Sequence, residues 1–288
     1  MDLDNSSLRH LTPKKFDVSA IRHPKEKSYG GIMLVVGCVL WGLLGIGLIF
    51  SLLTGDFGPV IVFIVYAAAA WFFGYVAKAL LRAYMIGHYV KVSPEQFPTL
   101  YRIVEEAARD VGLAEMPQTY VYNSNGVLNA MALKLVGRHR YIWLTSAIID
   151  ADSPLQLRFV IGHELGHHVA GHLDGLGWVL RLPGHMIPFI GAAYSRAREL
   201  TCDRVGAWLV QDTTVSRTAL QMLACGSAKL NSHMNPDAFM RQERDVPAIA
   251  GLVLHIFSHY PRLTRRVEAV GQWEAAAAST RPTMQAAE

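Results

Sequence analysis

Charged residues are scarce in this chain, and two long stretches have none at all. Of its 288 residues, 17% are charged and 51% are hydrophobic. No Asp, Glu, Lys or Arg occurs between positions 30 and 54 or between positions 57 and 77. Each stretch is long enough to cross a hydrocarbon layer about 30 Å thick as a helix. The alternative, a pair of buried core helices, fits poorly with two such runs joined only by Gly55 and Asp56. The composition therefore excludes an ordinary soluble domain and predicts two membrane spans.

Cysteine is also rare. The three cysteines, Cys38, Cys202 and Cys225, are far apart in the sequence. This spacing offers no disulfide framework and fits a reducing compartment. The net charge of +4 comes without the clustered basic and aromatic residues of a nucleic-acid-binding protein, so no nucleic-acid partner is expected.

The positive charges flank the two uncharged stretches and predict their orientation. Those before the first stretch are Arg9, Lys14, Lys15, Arg22, Lys25 and Lys27, and those after the second are Lys78, Arg82 and Lys91. The loop between the stretches has no Lys or Arg. Because positive residues stay on the cytoplasmic side, both ends should face the cytoplasm. We therefore predict a cytoplasmic tail over residues 1–29 and a transmembrane hairpin over residues 30–81, with the lipid bilayer as a partner.

One short motif carries the chemistry: His163-Glu164-Leu165-Gly166-His167. Residues four apart lie on the same face of a helix, so both imidazoles can bind one zinc ion. Glu164 is then placed to act on a water molecule that zinc activates. Ser153-Pro154 starts this segment as a helix cap, and apolar residues follow, which predicts a largely buried helix over residues 153–171. The motif thus predicts peptide hydrolysis without a covalent intermediate.

A third ligand is expected on another helix. Glu199 and Asp203 are four residues apart and share a face, so one can bind the metal while the other orients a ligand histidine. Cys202 is near enough in sequence to compete as a ligand, but we interpret it as a small buried residue. His168 and His172 are out of register with a third-histidine motif. Projected on a helix, His172 falls about 180° from His163, so neither is expected to be a ligand, and both are interpreted as solvated groups or groups that support the site.

The HExxH motif followed by Ser195-Arg196, Glu199 and Asp203 resembles the HtpX-like membrane metallopeptidases, whose family also holds the CAAX prenyl endopeptidases and the soluble minigluzincins. The resemblance implies Glu199 as the third zinc ligand, Asp203 as its supporting carboxylate, and one zinc ion per chain. Leu200 and Cys202 depart from the usual family residues without affecting this ligand set. Protein or peptide substrates are implied, in particular misfolded membrane proteins. So is a place in a bacterial inner membrane, with the catalytic domain facing the cytoplasm.

The same resemblance suggests two further parts of the site. Asn129, Ala130, Met131 and Ala132 match a segment that lies on an edge strand above the zinc, where substrate backbone adds as an extra strand. In the stretch from Ser258 to Val267, His259 is a candidate to stabilise the oxyanion, and Arg265 or Arg266 could serve instead. Without the resemblance, an ordinary edge strand is the preferred explanation for the first segment, and a solvated basic turn explains the second equally well.

The predicted fold is α+β: the transmembrane hairpin, then a mostly helical, gluzincin-like zinc endopeptidase domain over residues 92–270 with a small antiparallel sheet. Its predicted strands are residues 119–122, 127–135 and 140–144. Residues 176–194 are too interrupted to span a membrane and should rest on it or cover the cleft. Gly206 should allow close helix packing. Residues 271–288 are predicted to be a disordered tail.

Two other functions fit parts of the sequence. In an intramembrane zinc protease, Asn235-Pro236-Asp237 would supply the distant aspartate, but this segment lies in polar sequence. A membrane scaffold with a structural zinc site would need four protein ligands, whereas the motif offers three together with Glu164. The sequence therefore favours a membrane-anchored zinc metalloendopeptidase.

Overall fold

The computed structural model describes residues 15–137, 139–187 and 189–279. Two long apolar helices precede a mostly helical domain with one small sheet, which confirms the predicted α+β fold class. The helices are α1 (Val18–Ile21), α2 (Pro24–Leu53), α3 (Gly58–His88), α4 (Pro98–Asp110), α5 (Ser146–Ala151), α6 (Pro154–Val169), α7 (Gly175–His185), α8 (Ile190–Val210), α9 (Thr213–Cys225), α10 (Ala228–Asn231), α11 (Pro236–Arg241), α12 (Ala248–Phe257) and α13 (Leu263–Ser279), with a 3₁₀ turn at Gln242–Asp245. The strands are β1 (Val90–Lys91), β2 (Gln118–Tyr122), β3 (Ala130–Lys134) and β4 (Arg140–Thr145).

Helices α2 and α3 form the hairpin expected of two membrane spans. The mean hydropathy of their most apolar segments is 2.6 and 2.2, and almost none of that surface is buried inside the protein. Gly55 makes the turn with a φ of +78°, and Asp56 Oδ1 accepts a hydrogen bond from the Gly58 amide at 3.1 Å. Exposed apolar surface of this extent needs a lipid environment.

The helices of the hairpin extend beyond the predicted unit of residues 30–81, because they begin at Pro24 and end at His88. A proline at the first turn is compatible with a helix start, and the polar residues after it continue the helix outside the apolar run. The last residues of the predicted tail therefore belong to α2. Residues 1–14 lie outside the described part of the chain.

The sheet is mixed rather than wholly antiparallel, with strand order β1-β2-β4-β3. β2 pairs in parallel with β4, and β3 pairs antiparallel with the other side of β4. Asn125 and Gly126 do form a turn, both with positive φ, but it does not join two paired strands. β4 is buried along nearly its whole length, which suits a central strand. The more exposed β3 takes the edge.

Helix α6 lies at the centre of the domain, against α4, α8, α9 and the sheet. Its start is the predicted cap: Ser153 accepts a hydrogen bond from the Gln156 amide, and the Gln156 side chain bonds back to the Ser153 amide. Apolar side chains from these elements form one continuous core, which includes Ile103, Val104, Ile142, Leu144, Leu157, Phe159, Ile161, Leu165, Val205 and Leu209. The core holds α6 rigidly from three sides.

Small residues let α6 and α8 approach very closely. A methyl group added at Gly206 would lie 2.6 Å from the carbonyl oxygen of Phe159, and one at Gly162 would lie 2.9 Å from the Cα of Gly206. At Gly166 the added group would lie 3.0 Å from the Cα of Cys202. These contacts involve main-chain atoms, which cannot rotate away. The predicted role of Gly206 in close packing is confirmed. The distance between the backbones of α6 and α8 depends on the absence of side chains at these glycines.

Within the predicted segment of residues 176–194, α7 packs against the first membrane helix. Trp41 Nε1 donates to the Val179 carbonyl oxygen at 2.9 Å, and a side chain at Gly37 would overlap the Leu180 carbonyl. Apolar side chains on α7 remain exposed beside the hairpin, among them Leu176, Trp178 and Val179. This placement next to α2 favours membrane contact for the segment.

The predicted disordered tail is wrong for residues 271–279, which continue α13. Alanine has the highest helix propensity of all residues, so an alanine-rich stretch prolongs a helix that is already formed. Trp273 packs against the core, and the Arg204 guanidinium lies 5.9 Å from the centroid of its indole ring. Residues 280–288 lie outside the described part of the chain.

Candidate metal centre and cleft

The three predicted metal ligands lie together at the contact between α6 and α8. His163 and His167 are one turn apart on α6, and Glu199 faces them from α8. The His163 Nε2 atom is 3.2 Å from Glu199 Oε2, and the His167 Nε2 atom is 3.6 Å from Glu199 Oε1. Burial alone would raise the pKa of Glu199, but the hydrogen bond from His163 holds it well below its ordinary value. Two imidazole nitrogens and one anionic oxygen therefore converge, a donor set that fits Zn²⁺.

Asp203 contacts the first histidine, at the position where the resemblance implies a supporting carboxylate. His163 Nδ1 lies 2.9 Å from Asp203 Oδ1. Arg266 donates to both oxygens of the same carboxylate, from Nη2 at 2.6 Å and from Nε at 2.8 Å. Burial by itself would raise the pKa of Asp203, yet the Arg266 guanidinium keeps it below the usual value. With Nδ1–H donated to Asp203, His163 keeps Nε2 directed at Glu199, where a metal ion would take the place of the proton on Nε2.

Glu164 is buried beside these ligands and has an environment suited to proton transfer. Its burial, reinforced by the negative charge of Glu199, raises its pKa to about 7, against opposing effects from His163 and from the backbone amide of Ala132. A carboxyl group with a pKa near the ambient pH can both accept and release a proton. The amide of Ala132 also places Glu164 next to the edge strand.

A cleft of about 360 Å³ opens in front of the metal ligands. Asn129, Ala130, Met131 and Ala132 all line it, together with His163, Glu164, His167 and Glu199. β3 is an edge strand, so one side of its backbone is not used in pairing with β4. The predicted edge-strand residues and the predicted metal ligands therefore face the same space.

The structure does not bring His259 into the cleft. His259 is exposed and lies near His185, whereas its neighbour Tyr260 lines the cleft. Partial burial, together with the carboxylates of Glu199 and Glu164, raises the pKa of Tyr260, so its hydroxyl remains a hydrogen-bond donor at neutral pH. Tyr260 was not predicted from the sequence, because the resemblance pointed to a histidine directly before a proline. In this chain Tyr260 stands between His259 and Pro261.

The two arginine candidates have different places. Arg265 Nε donates to Glu243 Oε1 at 2.6 Å and is not among the residues that line the cleft. Arg266 lines the cleft, but its guanidinium is held by the carboxylate of Asp203. Arg266 therefore supports a ligand histidine instead of pointing freely into the cleft.

Cys202 offers a competing donor set, since His163, His167 and Cys202 have ligand atoms within 4.8 Å of one another. Only the thiolate is a good metal ligand. Burial, with added repulsion from Glu199, raises the pKa of the Cys202 thiol well above its ordinary value. Its sulfur is 3.6 Å from His172 Nδ1, and its backbone packs on Gly166. We therefore favour the anionic Glu199 as third ligand, with Cys202 as a packing residue.

The two extra histidines are buried close to the site. His168 Nε2 is 3.1 Å from the Tyr141 carbonyl oxygen, on the side of the sheet. His172 Nδ1 is 3.1 Å from His167 Nδ1, and its Nε2 is 3.0 Å from Glu26 Oε1. The helical projection misplaced His172 because α6 ends at Val169 and the chain turns back. No sequence signal links Glu26 to the site, since its partners lie far along the chain.

Comparisons with known proteins show which families this chain resembles. A sequence profile described as peptidase family M48 matches residues 94–176. The chain is 30% identical over 184 residues to the plastoglobule-localized metallopeptidase 48 of Arabidopsis thaliana. The aligned region covers 59% of this chain and 53% of that protein. The chain is 26% identical over 268 residues to a protease HtpX homologue of Paenarthrobacter aurescens, covering 80% of this chain and 91% of the relative.

A solved structure has the same overall fold. The crystal structure of S. mikatae Ste24p superposes with a TM-score of 0.50 and 14% sequence identity, covering 82% of this chain and 63% of that protein. The chain therefore spans about half the length of the plant relative and under two thirds of this structural neighbour.

The fold and the candidate site together resemble those of membrane metallopeptidases. Residues 94–176 are thus similar to peptidase family M48, and most of the chain is similar to an HtpX homologue.

Proposed function

We propose that this protein is a membrane-anchored, zinc-dependent endopeptidase. The observation that carries the proposal is the convergence of His163 Nε2 and His167 Nε2 on the carboxylate of Glu199, with Glu164 buried beside them. Three ligands from two rigidly packed helices leave a coordination position for solvent, which is typical of catalytic zinc sites. A closed structural site would need a fourth protein ligand, and the nearest candidate, Cys202, is packed between His172 and Gly166.

In this mechanism, Glu164, Tyr260 and strand β3 each have a defined task. Bound zinc would polarise the scissile carbonyl and acidify a water molecule. Glu164 accepts the proton of the attacking water and delivers it to the leaving nitrogen. The Tyr260 hydroxyl donates a hydrogen bond to the carbonyl oxygen as negative charge develops there. The substrate backbone extends β3 by hydrogen bonding along its outer edge, and the small Ala130 and Ala132 leave room for it.

The substrates we infer are unfolded or misassembled membrane proteins. Helix α7 carries exposed apolar side chains and packs on α2, so apolar segments leaving the bilayer would meet an apolar surface beside the hairpin. Recognition through backbone hydrogen bonds requires an extended chain but little sequence specificity. We infer that the protein lies in a bacterial inner membrane. The flanking charges support a cytoplasmic position for its cleft.

An intramembrane protease is not favoured by the positions of its candidate residues. Asp237 lies on α11 and forms an ion pair with Arg217 at 2.5 Å, and it is not among the residues that line the cleft. The metal ligands lie on α6 and α8, in the domain that follows the membrane hairpin.

The test uses the purified full-length protein in proteoliposomes with a labelled, destabilised membrane protein as substrate. We expect Glu164→Gln to retain one zinc per chain, measured by elemental analysis, and to lower kcat by about 100- to 10,000-fold. A zinc chelator should abolish cleavage by the wild type, and added zinc should restore it. The matched control, Glu105→Gln, changes an exposed glutamate on α4 and should behave as wild type. Equal cleavage by all samples would refute the mechanism. A scaffold would instead retain its zinc while wild type and both variants all failed to cleave.

A further inference from the structure

A buried chain of hydrogen-bonding groups connects the candidate metal ligand His167 to the first membrane helix. His167 Nδ1 faces His172 Nδ1 at 3.1 Å, and His172 Nε2 faces Glu26 Oε1 at 3.0 Å. His172 is 8% exposed and Glu26 is 2% exposed. Glu26 lies in the first turn of α2. A charged carboxylate buried this far from solvent needs several partners.

Glu26 has those partners. The Arg22 guanidinium forms an ion pair with Oε1, and the Thr201 hydroxyl donates to Oε2. Arg22 also donates from Nη2 to the Ala170 carbonyl oxygen at 2.7 Å. The backbone of His172 is anchored as well, because Arg198 Nη2 donates to its carbonyl oxygen at 3.2 Å. The chain of groups is therefore built into three parts of the fold: the base of α2, the turn after α6, and α8.

Proton positions along this chain follow from the donor and acceptor rules, given the metal site proposed above. If His167 binds zinc through Nε2, its Nδ1 carries the remaining proton and donates to His172. His172 Nδ1 must then be the acceptor, so its proton lies on Nε2 and is donated to Glu26. This is the one arrangement of neutral imidazoles in which both short contacts are hydrogen bonds. His163 has a direct carboxylate partner in Asp203, whereas His167 reaches its carboxylate through another imidazole.

We propose that His172 and Glu26 are positioning residues that hold His167 in the tautomer and ring orientation required for zinc binding. This inference rests on the proposed zinc site and names a function for the membrane helix beyond anchoring. The base of α2 supplies the carboxylate that completes the support of one metal ligand. Loss of such supporting groups typically weakens metal affinity by about 10- to 100-fold.

Zinc affinity of the full-length protein, measured by competition with a chromogenic chelator, tests the proposal. His172→Leu removes the acceptor for His167 Nδ1–H and should weaken zinc binding by about 10- to 100-fold. His172→Asn should retain most of the affinity, because its side-chain oxygen can lie near the position of Nδ1 and accept the same hydrogen bond. Glu26→Gln keeps the shape but loses the charge, and its affinity should also fall. The control His168→Asn changes a neighbouring buried histidine whose Nε2 faces the Tyr141 carbonyl oxygen instead.

Cobalt substitution gives a second readout that folding alone does not change. The visible d–d bands of the Co²⁺ protein should shift in His172→Leu and Glu26→Gln but remain as wild type in His168→Asn. Wild-type zinc affinity and an unchanged cobalt spectrum in all variants would overturn the inference and leave the proposed function intact. A loss of affinity as large in His172→Asn and His168→Asn as in His172→Leu would also overturn it. If the wild type bound no zinc, the proposed function and this inference would both be refuted.

Discussion

Gly206→Ala tests whether close helix packing sets the geometry of the metal site. The added methyl carbon would lie 2.6 Å from the Phe159 carbonyl oxygen. Carbon–oxygen contacts are normally no shorter than about 3.3 Å, so α8 must move away from α6 by about 0.7 Å. Glu199 is on the same helix, about two turns before Gly206. The change therefore separates Glu199 from the two histidines of α6.

Two opposing effects determine the stability of this variant. Replacing glycine by alanine within a helix stabilises the helix by about 1 kcal/mol. Overpacking a tight contact costs about 1–3 kcal/mol, and a rigid main-chain neighbour places Gly206→Ala in the upper part of this range. We expect a net loss of about 1–2 kcal/mol, which lowers Tm by about 2–8 °C for a domain of this size. Metal sites tolerate errors of only about 0.2 Å, so zinc affinity should fall by about tenfold or more.

The assay is thermal unfolding in detergent, together with zinc competition on the same preparations. The matched control is Gly31→Ala in α2, where an added methyl group meets no atom of the described residues within 4 Å. This control should keep the wild-type Tm, or raise it slightly, and keep the wild-type zinc affinity. If Gly206→Ala behaved like Gly31→Ala in both measurements, the spacing of α6 and α8 would not control the ligand geometry.

Two further substitutions have defined outcomes. Tyr260→Phe should lower kcat by about 10- to 1,000-fold with little change in KM, whereas His259→Ala should retain wild-type kinetics; equal kinetics for both variants would exclude a catalytic role for the Tyr260 hydroxyl. Burial raises the pKa of Asp152 to about 7, and its carboxylate oxygens have no hydrogen-bond partner among the described residues. The folded state therefore prefers protonated Asp152, so its contribution to stability is present below about pH 4 and is lost as the pH rises through 7. Asp152→Asn should be more stable than wild type by up to about 4 kcal/mol at pH 8, by about 1.5 kcal/mol at pH 5, and by almost nothing below about pH 4. A difference in Tm between wild type and Asp152→Asn that is the same at pH 5 and pH 8 would contradict this assignment.

Features with a local physical signal were predictable from the sequence. The uncharged runs indicated α2 and α3, the cap at Ser153 indicated the start of α6, and four-residue spacing indicated the shared face of His163 and His167. The pairing of Glu199 with α6 needed the family resemblance, because spacing alone left Asp203 equally possible. The two carboxylates differ in the structure by the nitrogen of His163 that each one faces. Glu199 faces Nε2, and Asp203 faces Nδ1.

The features that were not predicted depend on contacts between distant segments. The order of β2, β3 and β4 in the sheet depends on which of the strands can be buried. A turn sequence alone does not show which strand that is. Glu26 lies 146 positions from its partner His172, so no periodicity links them. Tyr260 reaches the cleft because the chain between α12 and α13 bends there.

The base of α2 has a consequence for anyone who wishes to prepare a soluble form of this enzyme. A fragment trimmed to residues 92–270 would lack Glu26. The Thr201 hydroxyl and Nε2 of His172 would then lose their carboxylate partner. It would also sever α13 before Trp273, which packs on the core. The excised unit should therefore include residues 17–29 and extend to 279, with the link between 29 and 92 rebuilt as a short hydrophilic bridge.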